Sequence, residues 1–164
     1  KYFVEIFEPF VSAVFAKYFF DADILTFVPM TKEAEKQRGY NQSELLCKAV
    51  SEKTGYPYAP LTEKSNATEH QAKLNRTERL SNLKGSFKAR NTALIEKKRV
   101  VLVDDVLTTG ATAESVAEAL KNAGAEKVYL LTIASVTEKK TALILGQEQS
   151  SSSLRVKPFA VKGK

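Results

Sequence analysis

The stretch that decides the fold is residues 99–112, which read RVVLVDDVLTTGAT. Its first half is apolar and β-branched, which is typical of a buried strand, and two carboxylates, Asp104 and Asp105, follow that strand. A short turn of threonine and glycine leads into residues 112–123, where apolar side chains recur at helical spacing. This order predicts the carboxyl end of a strand in an open parallel sheet, which is where such sheets bind ligands.

The segments on either side complete the architecture. Residues 128–134 form a second apolar strand after Gly124 ends the helix, and strand, helix and strand in this order favour parallel pairing with a right-handed crossover. Upstream, residues 24–28 predict another buried strand, and residues 2–20 predict an amphipathic helix with an aromatic core face. The sequence therefore predicts an α/β fold.

A further helix and two irregular segments fill the remaining chain. Asn41 is a candidate helix cap with Glu44 three residues on, and Gly55 is the matching stop. Residues 59–92 are polar and long enough to be functional or mobile. Residues 146–153 resemble a flexible linker and residues 154–161 an edge strand interrupted by proline; we expect all of residues 1–164 to form one domain.

Composition narrows the class of protein. The formal net charge of +6 and the sequence pI near 9.3 favour an anionic partner without choosing among polyphosphates, nucleic acid and acidic proteins. Cys47 is the single cysteine, which excludes an internal disulfide and a cysteine-rich zinc site within these residues. No apolar run is long enough for a transmembrane segment, so we expect a cytoplasmic location. The oligomeric state is not encoded in any feature of the sequence.

The turn after the acid pair has the features of a phosphate site. Backbone N–H groups at the start of a helix lack helical partners and, with the positive helix end, attract a phosphate monoester. Glycine permits the close approach and the positive φ. The two carboxylates would repel a bare phosphate, but they accept hydrogen bonds from the hydroxyls of a ribose. We therefore predict a ribose 5-phosphate site, formed by Asp104, Asp105, Leu107, Thr108, Thr109, Gly110, Ala111 and Thr112.

Other interpretations of this stretch are weaker. An acid pair after an apolar strand also occurs at the metal site of response-regulator receiver domains, but there it lies near the start of the domain. The turn lacks the Gly-x-x-x-x-Gly-Lys spacing of a nucleotide P-loop. A solvated helix cap does not explain why a buried strand, two acids, a turn and a helix follow one another.

Residues 104–112 resemble the signature of type I phosphoribosyltransferases. That resemblance implies a Rossmann-like parallel sheet, a mobile hood over the active site, and 5-phosphoribosyl 1-pyrophosphate (PRPP) bound with Mg²⁺. Asp104 and Asp105 would reach the metal only indirectly, through the hydroxyls of PRPP. Purine transferases of this class often carry an acid at the position of Thr108, so purine salvage is not expected.

The chain is more closely similar to the competence-protein F family of phosphoribosyltransferase-like proteins. The marks of that family are Val28-Pro29, Arg38-Gly39-Tyr40-Asn41-Gln42, Thr68, Gln71, Leu74, Arg76, Arg79, Asn82 and Gly85 to Phe87. Two features depart from the family: Thr31 to Ala34 replace a basic stretch, and the cysteine-rich zinc-binding segment was either lost or precedes Lys1. The resemblance implies a role in natural competence and DNA uptake, where incoming single strands are handled.

The same resemblance assigns the rest of the site. Met30 and Thr31 would face the pyrophosphate of PRPP, and Arg38 is the preferred cation there, with Lys32 and Lys36 as alternatives. The hood would span about residues 60–92. In it, Gln71, Arg76 and Arg79 would close over the ligand and supply positive charge where pyrophosphate leaves. Catalysis is assigned to Asp104, Asp105, Arg38 and Arg76.

Two functions remain open at this point. The first is a PRPP-binding phosphoribosyltransferase-like protein of DNA uptake, acting on an unidentified acceptor. The second is a non-catalytic module that binds single-stranded DNA or senses PRPP. Tyr40 beside Arg38 suits single strands, which are held by aromatic stacking and cations. A separate basic face, at residues 97–99 or 157–164, suits them equally.

Overall fold

The computed structural model describes residues 2–19, 21–64, 86–135, 143–146 and 155–158. In these ranges the helices are α1 Tyr2–Tyr18, α2 Lys32–Arg38, α3 Gln42–Thr54 and α4 Ala111–Asn122, with a 3₁₀ turn at Thr92–Leu94. The strands are β1 Ile24–Phe27, β2 Thr62–Lys64, β3 Phe87–Ala89, β4 Arg99–Leu107, β5 Lys127–Ser135, β6 Leu143–Gly146 and β7 Arg155–Pro158. No helix in the described ranges is both long and apolar enough to span a bilayer.

The central sheet has the order β1-β4-β5, and both pairings are parallel. Alternate residues of β4 point to opposite layers, as the pleat of a strand requires. Val100 and Leu102 pack in a buried cluster with α4 residues, whereas Val101 and Val103 pack with residues of α1 and α3. The predicted βαβ unit and the α/β fold are confirmed, and helices pack on both faces of the sheet.

Helix α3 forms where the sequence predicts it. The Asn41 side chain accepts hydrogen bonds from Ser43 N at 3.0 Å and Glu44 N at 3.4 Å. Gly55 ends the helix in the left-handed region with φ of 77°. Cys47 is a small core residue of this helix, as predicted, and its burial raises the pKa of the thiol.

Strand β4 extends further than predicted. We expected the strand to end before the acid pair, but it continues to Leu107. The reason is that β5 keeps pairing after β1 has ended: Asp104 lies opposite Thr132 and Leu107 opposite Ser135. The acid pair therefore lies inside β4, on a section that has a strand partner on only one side. Helix α2 was not predicted because none of its residues is buried, so no apolar periodicity marks it.

The ends of the predicted hood are held together by a strand pair. β2 and β3 pair antiparallel, with Lys64 opposite Phe87. Residues 65–85 lie outside the described part of the chain, as do residues 147–154, so the predicted hood interior and linker stay predictions. The edge strand expected within residues 154–161 is present as the shorter β7, which pairs antiparallel with β6.

A cluster of charged and aromatic groups ties the amino-terminal ends of the three central strands together. Arg99 donates from Nε to Asp23 Oδ2 at 3.0 Å and from Nη2 to Asp23 Oδ1 at 3.2 Å. Asp21 lies 3.7 Å from Arg99 Nη1 and accepts the hydroxyl of Tyr129 at 2.8 Å. Hydrogen bonds from Arg99 lower the pKa of Asp23 to about 2. Because Arg99 is paired with Asp23 and Asp21, its charge is neutralised within the fold. The basic face suggested at residues 97–99 is therefore reduced to Lys97 and Lys98.

We predict that Arg99→Met lowers the urea midpoint of unfolding at pH 7, because the hydrogen bonds and ion pairs of Arg99 with Asp23 and Asp21 are lost. Asp23 has a folded pKa below its ordinary value, so the pair stabilises the fold above about pH 4 and the stabilisation is lost as the pH falls towards 2. Urea denaturation of both proteins at pH 7 and pH 3 measures this difference. Arg90→Met, whose partner Glu63 is half exposed, is the control with little expected effect.

Candidate active site

Each of the two carboxylates of β4 accepts hydrogen bonds through its Oδ1 atom. Asp104 Oδ1 accepts from Asp105 N at 3.0 Å and from the Ser43 hydroxyl at 3.3 Å. Asp105 Oδ1 accepts from Val106 N at 2.9 Å. Within the described residues the second oxygen of each carboxylate has no hydrogen-bond donor. Two acceptor oxygens are therefore left to receive the hydroxyls of a ligand.

Asp104 is the more buried of the two acids, with 8% of its surface exposed. Its burial, and next the negative charge of Asp105, raise its pKa to about 6. The hydrogen bond from Ser43 acts in the opposite direction and favours the charged form. Near neutral pH this carboxylate is ionised and accepts hydrogen bonds, at a cost to the stability of the fold.

The turn after β4 has the geometry of an anion cradle. Gly110 adopts a φ of 82°, in the left-handed region, and caps α4. The first backbone hydrogen bond of the helix runs from Glu114 N to Gly110 O, so the N–H groups of Thr112 and Ala113 precede the helical ladder. Thr108 and Thr109 are exposed, whereas the Leu107 side chain is buried in the core. Leu107 is therefore limited to a contact through its main chain.

The parallel ladder between β1 and β4 is interrupted beside the acid pair. Val28 N donates to Val103 O at 3.1 Å, and regular parallel pairing would next join Asp105 N to Val28 O. Instead, Val28 O accepts from Asn41 Nδ2 at 3.0 Å, and Asp105 N donates to Ser43 Oγ at 3.2 Å. The first turn of α3 thus replaces a ladder bond and separates the strand ends, which creates room for a ligand.

Two residues of this site were missed from the sequence. Ser43 is 4% exposed and joins α3 to the acid pair. Thr132 Oγ1 lies 3.3 Å from Asp105 O and fixes the main chain of β4 from the other side. The available signal was a small hydroxyl side chain two residues after the helix cap Asn41, on the inward-facing side of a predicted helix.

A cleft of about 540 Å³ lies between the end of β1, the starts of α2 and α3, and the β2–β3 pair. Its lining residues are Phe27, Pro29, Met30, Lys32, Glu35, Asn41, Glu44, Pro60, Thr62, Glu63, Lys64, Lys88 and Arg90. Lys64, Lys88 and Arg90 were not predicted and add positive charge. Burial, and next the charge of Glu35, raise the pKa of Glu44.

The structure brings some of the predicted pyrophosphate residues to this cleft. Met30 and Lys32 line it. The Thr31 side chain caps α2 by accepting from Ala34 N at 3.2 Å. Arg38 is exposed at the last position of α2 and is not a lining residue of the cleft. The predicted hood residues Gln71, Arg76 and Arg79 lie outside the described residues.

The family resemblance implies Mg²⁺, which would act close to the acid pair. In the described ranges no cluster of three or more His, Cys, Asp or Glu side chains is suited to hold a metal. Mg²⁺ is commonly bound through one or two carboxylates plus substrate phosphates and water. Asp104 and Asp105, each with one oxygen free, would suit Mg²⁺ that arrives on a phosphorylated ligand, and they would act on it only indirectly, through the hydroxyls of that ligand.

Comparison with known proteins identifies the family of the chain. A family model for the phosphoribosyl transferase domain matches residues 42–144. The chain is 32% identical over 122 residues to Competence protein ComFC of Bacillus subtilis (strain 168), covering 74% of this chain and 48% of that protein. It is 33% identical over 109 residues to DNA utilization protein YhgH of Escherichia coli (strain K12), covering 66% of this chain and 47% of that protein.

A solved structure supports the fold. The chain is similar to a hypoxanthine phosphoribosyltransferase from Staphylococcus aureus with a TM-score of 0.55 at 14% sequence identity, covering 84% of this chain and 67% of that chain. Fold and site therefore define a phosphoribosyltransferase-like α/β domain. The chain belongs to the phosphoribosyl transferase domain family, and its similarity to the competence and DNA utilization proteins confirms the resemblance to the competence-protein F family. It spans about half the length of the curated relatives it matches.

We predict that Asp104→Asn raises the free energy of unfolding by roughly 1–3 kcal/mol at pH 8, because it removes a buried charge whose pKa is raised. The folded pKa of about 6 exceeds the ordinary value of 3.8, so the cost of ionisation is complete above pH 6 and disappears below about pH 4. Urea denaturation at pH 8 and pH 4 tests this. An equal gain at both pH values would show that charge is not the cause. Glu118→Gln, on the exposed face of α4, controls for charge alone.

Proposed function

We propose that this protein binds Mg²⁺-PRPP at the carboxyl end of β4 and acts in natural competence or DNA utilization. The observation that carries the proposal is the adjacency of two kinds of group. Asp104 and Asp105 offer hydroxyl acceptors, and one turn later the start of α4 offers backbone donors to a phosphate. A sugar that carries both vicinal hydroxyls and a 5′-phosphate satisfies both groups at once.

The cleft beside this site supports a ligand larger than a ribose phosphate. Lys32, Lys64 and Lys88 line it, and it opens next to the loop that follows β1. A diphosphate that extends from the sugar towards the cleft would meet these cations. When bound, Mg²⁺ would neutralise charge on the diphosphate. The chain's own residues would orient the sugar and exclude water.

The chemistry of the acid pair disfavours single-stranded DNA in the sugar site. An internal nucleotide of DNA lacks the 2′-hydroxyl, and its 3′-oxygen carries a phosphodiester. Asp104 and Asp105 would therefore face a negative charge where they need a hydrogen-bond donor. The names of the relatives nevertheless refer to competence and DNA utilization, so DNA binding on another surface remains the second candidate. The described part of the chain is exposed and basic at Lys97 and Lys98.

We predict that the double variant Asp104→Asn, Asp105→Asn binds Mg²⁺-PRPP more than tenfold more weakly than the wild type. Hydrogen bonds to a charged acceptor contribute about 1.5–3 kcal/mol each, and neutral amides accept less strongly. Titration calorimetry measures the affinity. The variant Glu118→Gln, Glu126→Gln makes the same change in net charge at exposed positions and should bind normally. Undiminished PRPP affinity in a folded acid-pair variant refutes the proposal.

We also predict that saturating Mg²⁺-PRPP leaves most single-stranded DNA bound, if DNA binds at all, because the two ligands need different surfaces. Fluorescence anisotropy of a labelled oligonucleotide, measured with and without PRPP, follows the bound fraction. Affinity should fall steeply with salt, since cations neutralise the phosphates. Complete displacement by PRPP would contradict separate surfaces, and no binding at low salt would eliminate the DNA-binding alternative.

Isotope-labelled PRPP incubated with nucleobases and with DNA tests for transfer and identifies the acceptor.

A further inference from the structure

We infer that Ser43 is a positioning residue of the active site, which holds the acid pair in the geometry that receives the sugar hydroxyls. This inference rests on the proposed function for its ligand, although its structural basis does not. The Ser43 hydroxyl donates to Asp104 Oδ1 at 3.3 Å and accepts from Asp105 N at 3.2 Å. A single side chain thus contacts both members of the pair.

The need for such a residue follows from the interrupted ladder. At Asp105 the strand has β5 on one side, while the partner expected on the other side, Val28 O, is occupied by Asn41. The partly buried Asp105 N–H donates to Asp104 Oδ1 at 3.0 Å, but that acceptor belongs to the neighbouring side chain and does not connect β4 to another element. Ser43 supplies the second acceptor from α3 and donates its own proton to Asp104 Oδ1, so it anchors both partners of that local contact. The strand therefore stays open for a ligand while the acid pair remains anchored on that side.

The same turn of α3 reaches both ligand loops. Asn41 binds the main chain where the loop after β1 begins, and Ser43 binds the acid pair on β4. Both residues are buried and lie two positions apart, so the rigid first turn of the helix sets the distance between the two loops. Neither contact depends on the exposed cations Lys36 and Arg38 of the preceding helix.

The test compares Ser43→Ala with Ser51→Ala in the full chain. Ser51 is a matched control because it also lies on α3 and its hydroxyl donates a structural hydrogen bond, to Tyr56 O at 2.6 Å. Titration calorimetry would measure the affinities for Mg²⁺-PRPP and for inorganic phosphate. We expect Ser43→Ala to weaken PRPP binding at least fivefold and to leave phosphate binding within twofold of wild type, since only the sugar hydroxyls meet the acid pair. Ser51→Ala should bind both normally, and Ser43→Thr, which keeps the hydroxyl, should restore PRPP binding.

A second measurement decides the inference without a ligand. Amide hydrogen exchange at Asp105 should be at least tenfold faster in Ser43→Ala than in wild type, while exchange at Val103 stays unchanged. If exchange at Asp105 is unchanged, or if Ser43→Ala binds PRPP as tightly as wild type, the positioning role is overturned. If wild type itself fails to bind PRPP, the proposed function falls, and the exchange at Asp105 still reports whether Ser43 holds the acid pair.

Discussion

The hydrogen bond that does not form between Asp105 N and Val28 O is the constraint on which this architecture depends. A parallel sheet closes its ladder wherever neighbouring strands run side by side, and a closed ladder leaves no space for a ligand between their ends. Here α3 enters at that point, and its side chains satisfy the main-chain groups that β1 and β4 would have shared. The gap between the strand ends, beside the carboxylate oxygens that lack a donor, follows from this substitution.

The ionised acid pair lowers the stability of the fold at this end of the sheet. Asp104 is the stronger hydrogen-bond acceptor when it is ionised, yet burial and the neighbouring Asp105 oppose its ionisation. At the amino-terminal end of the sheet, by contrast, Arg99 pairs with Asp23 and Asp21, and Asp21 accepts the Tyr129 hydroxyl, so that attraction joins β1, β4 and β5. One end of the sheet is thus stabilised by attraction between opposite charges, whereas at the other end two like charges lie side by side.

Local patterns in the sequence were sufficient for the parallel sheet, the crossover helix and the capped helix α3. Apolar residues at strand and helix spacing, Asn41 and Gly55 act through neighbours along the chain, so their effect is visible in the sequence. The length of β4 was not visible, because it depends on where β5 continues after β1 ends. Ser43 was missed for a related reason: the local pattern places its hydroxyl on the inner side of α3, but its partner Asp104 is 61 residues away and is not identified by that pattern. Helix α2 was missed because it buries nothing.

The strand pair at the base of the predicted hood permits variation in the length of the chain between β2 and β3. Because Lys64 and Phe87 are fixed opposite each other, the chain between them begins and ends at one place on the core. The entropic cost of closing a flexible loop grows only with the logarithm of its length, by about 0.6 kcal/mol per doubling. Insertions and deletions between these two anchors are therefore thermodynamically inexpensive and leave the sheet untouched. The β2–β3 pair is therefore an anchor between which segments of different length and chemistry can be inserted without changing β4.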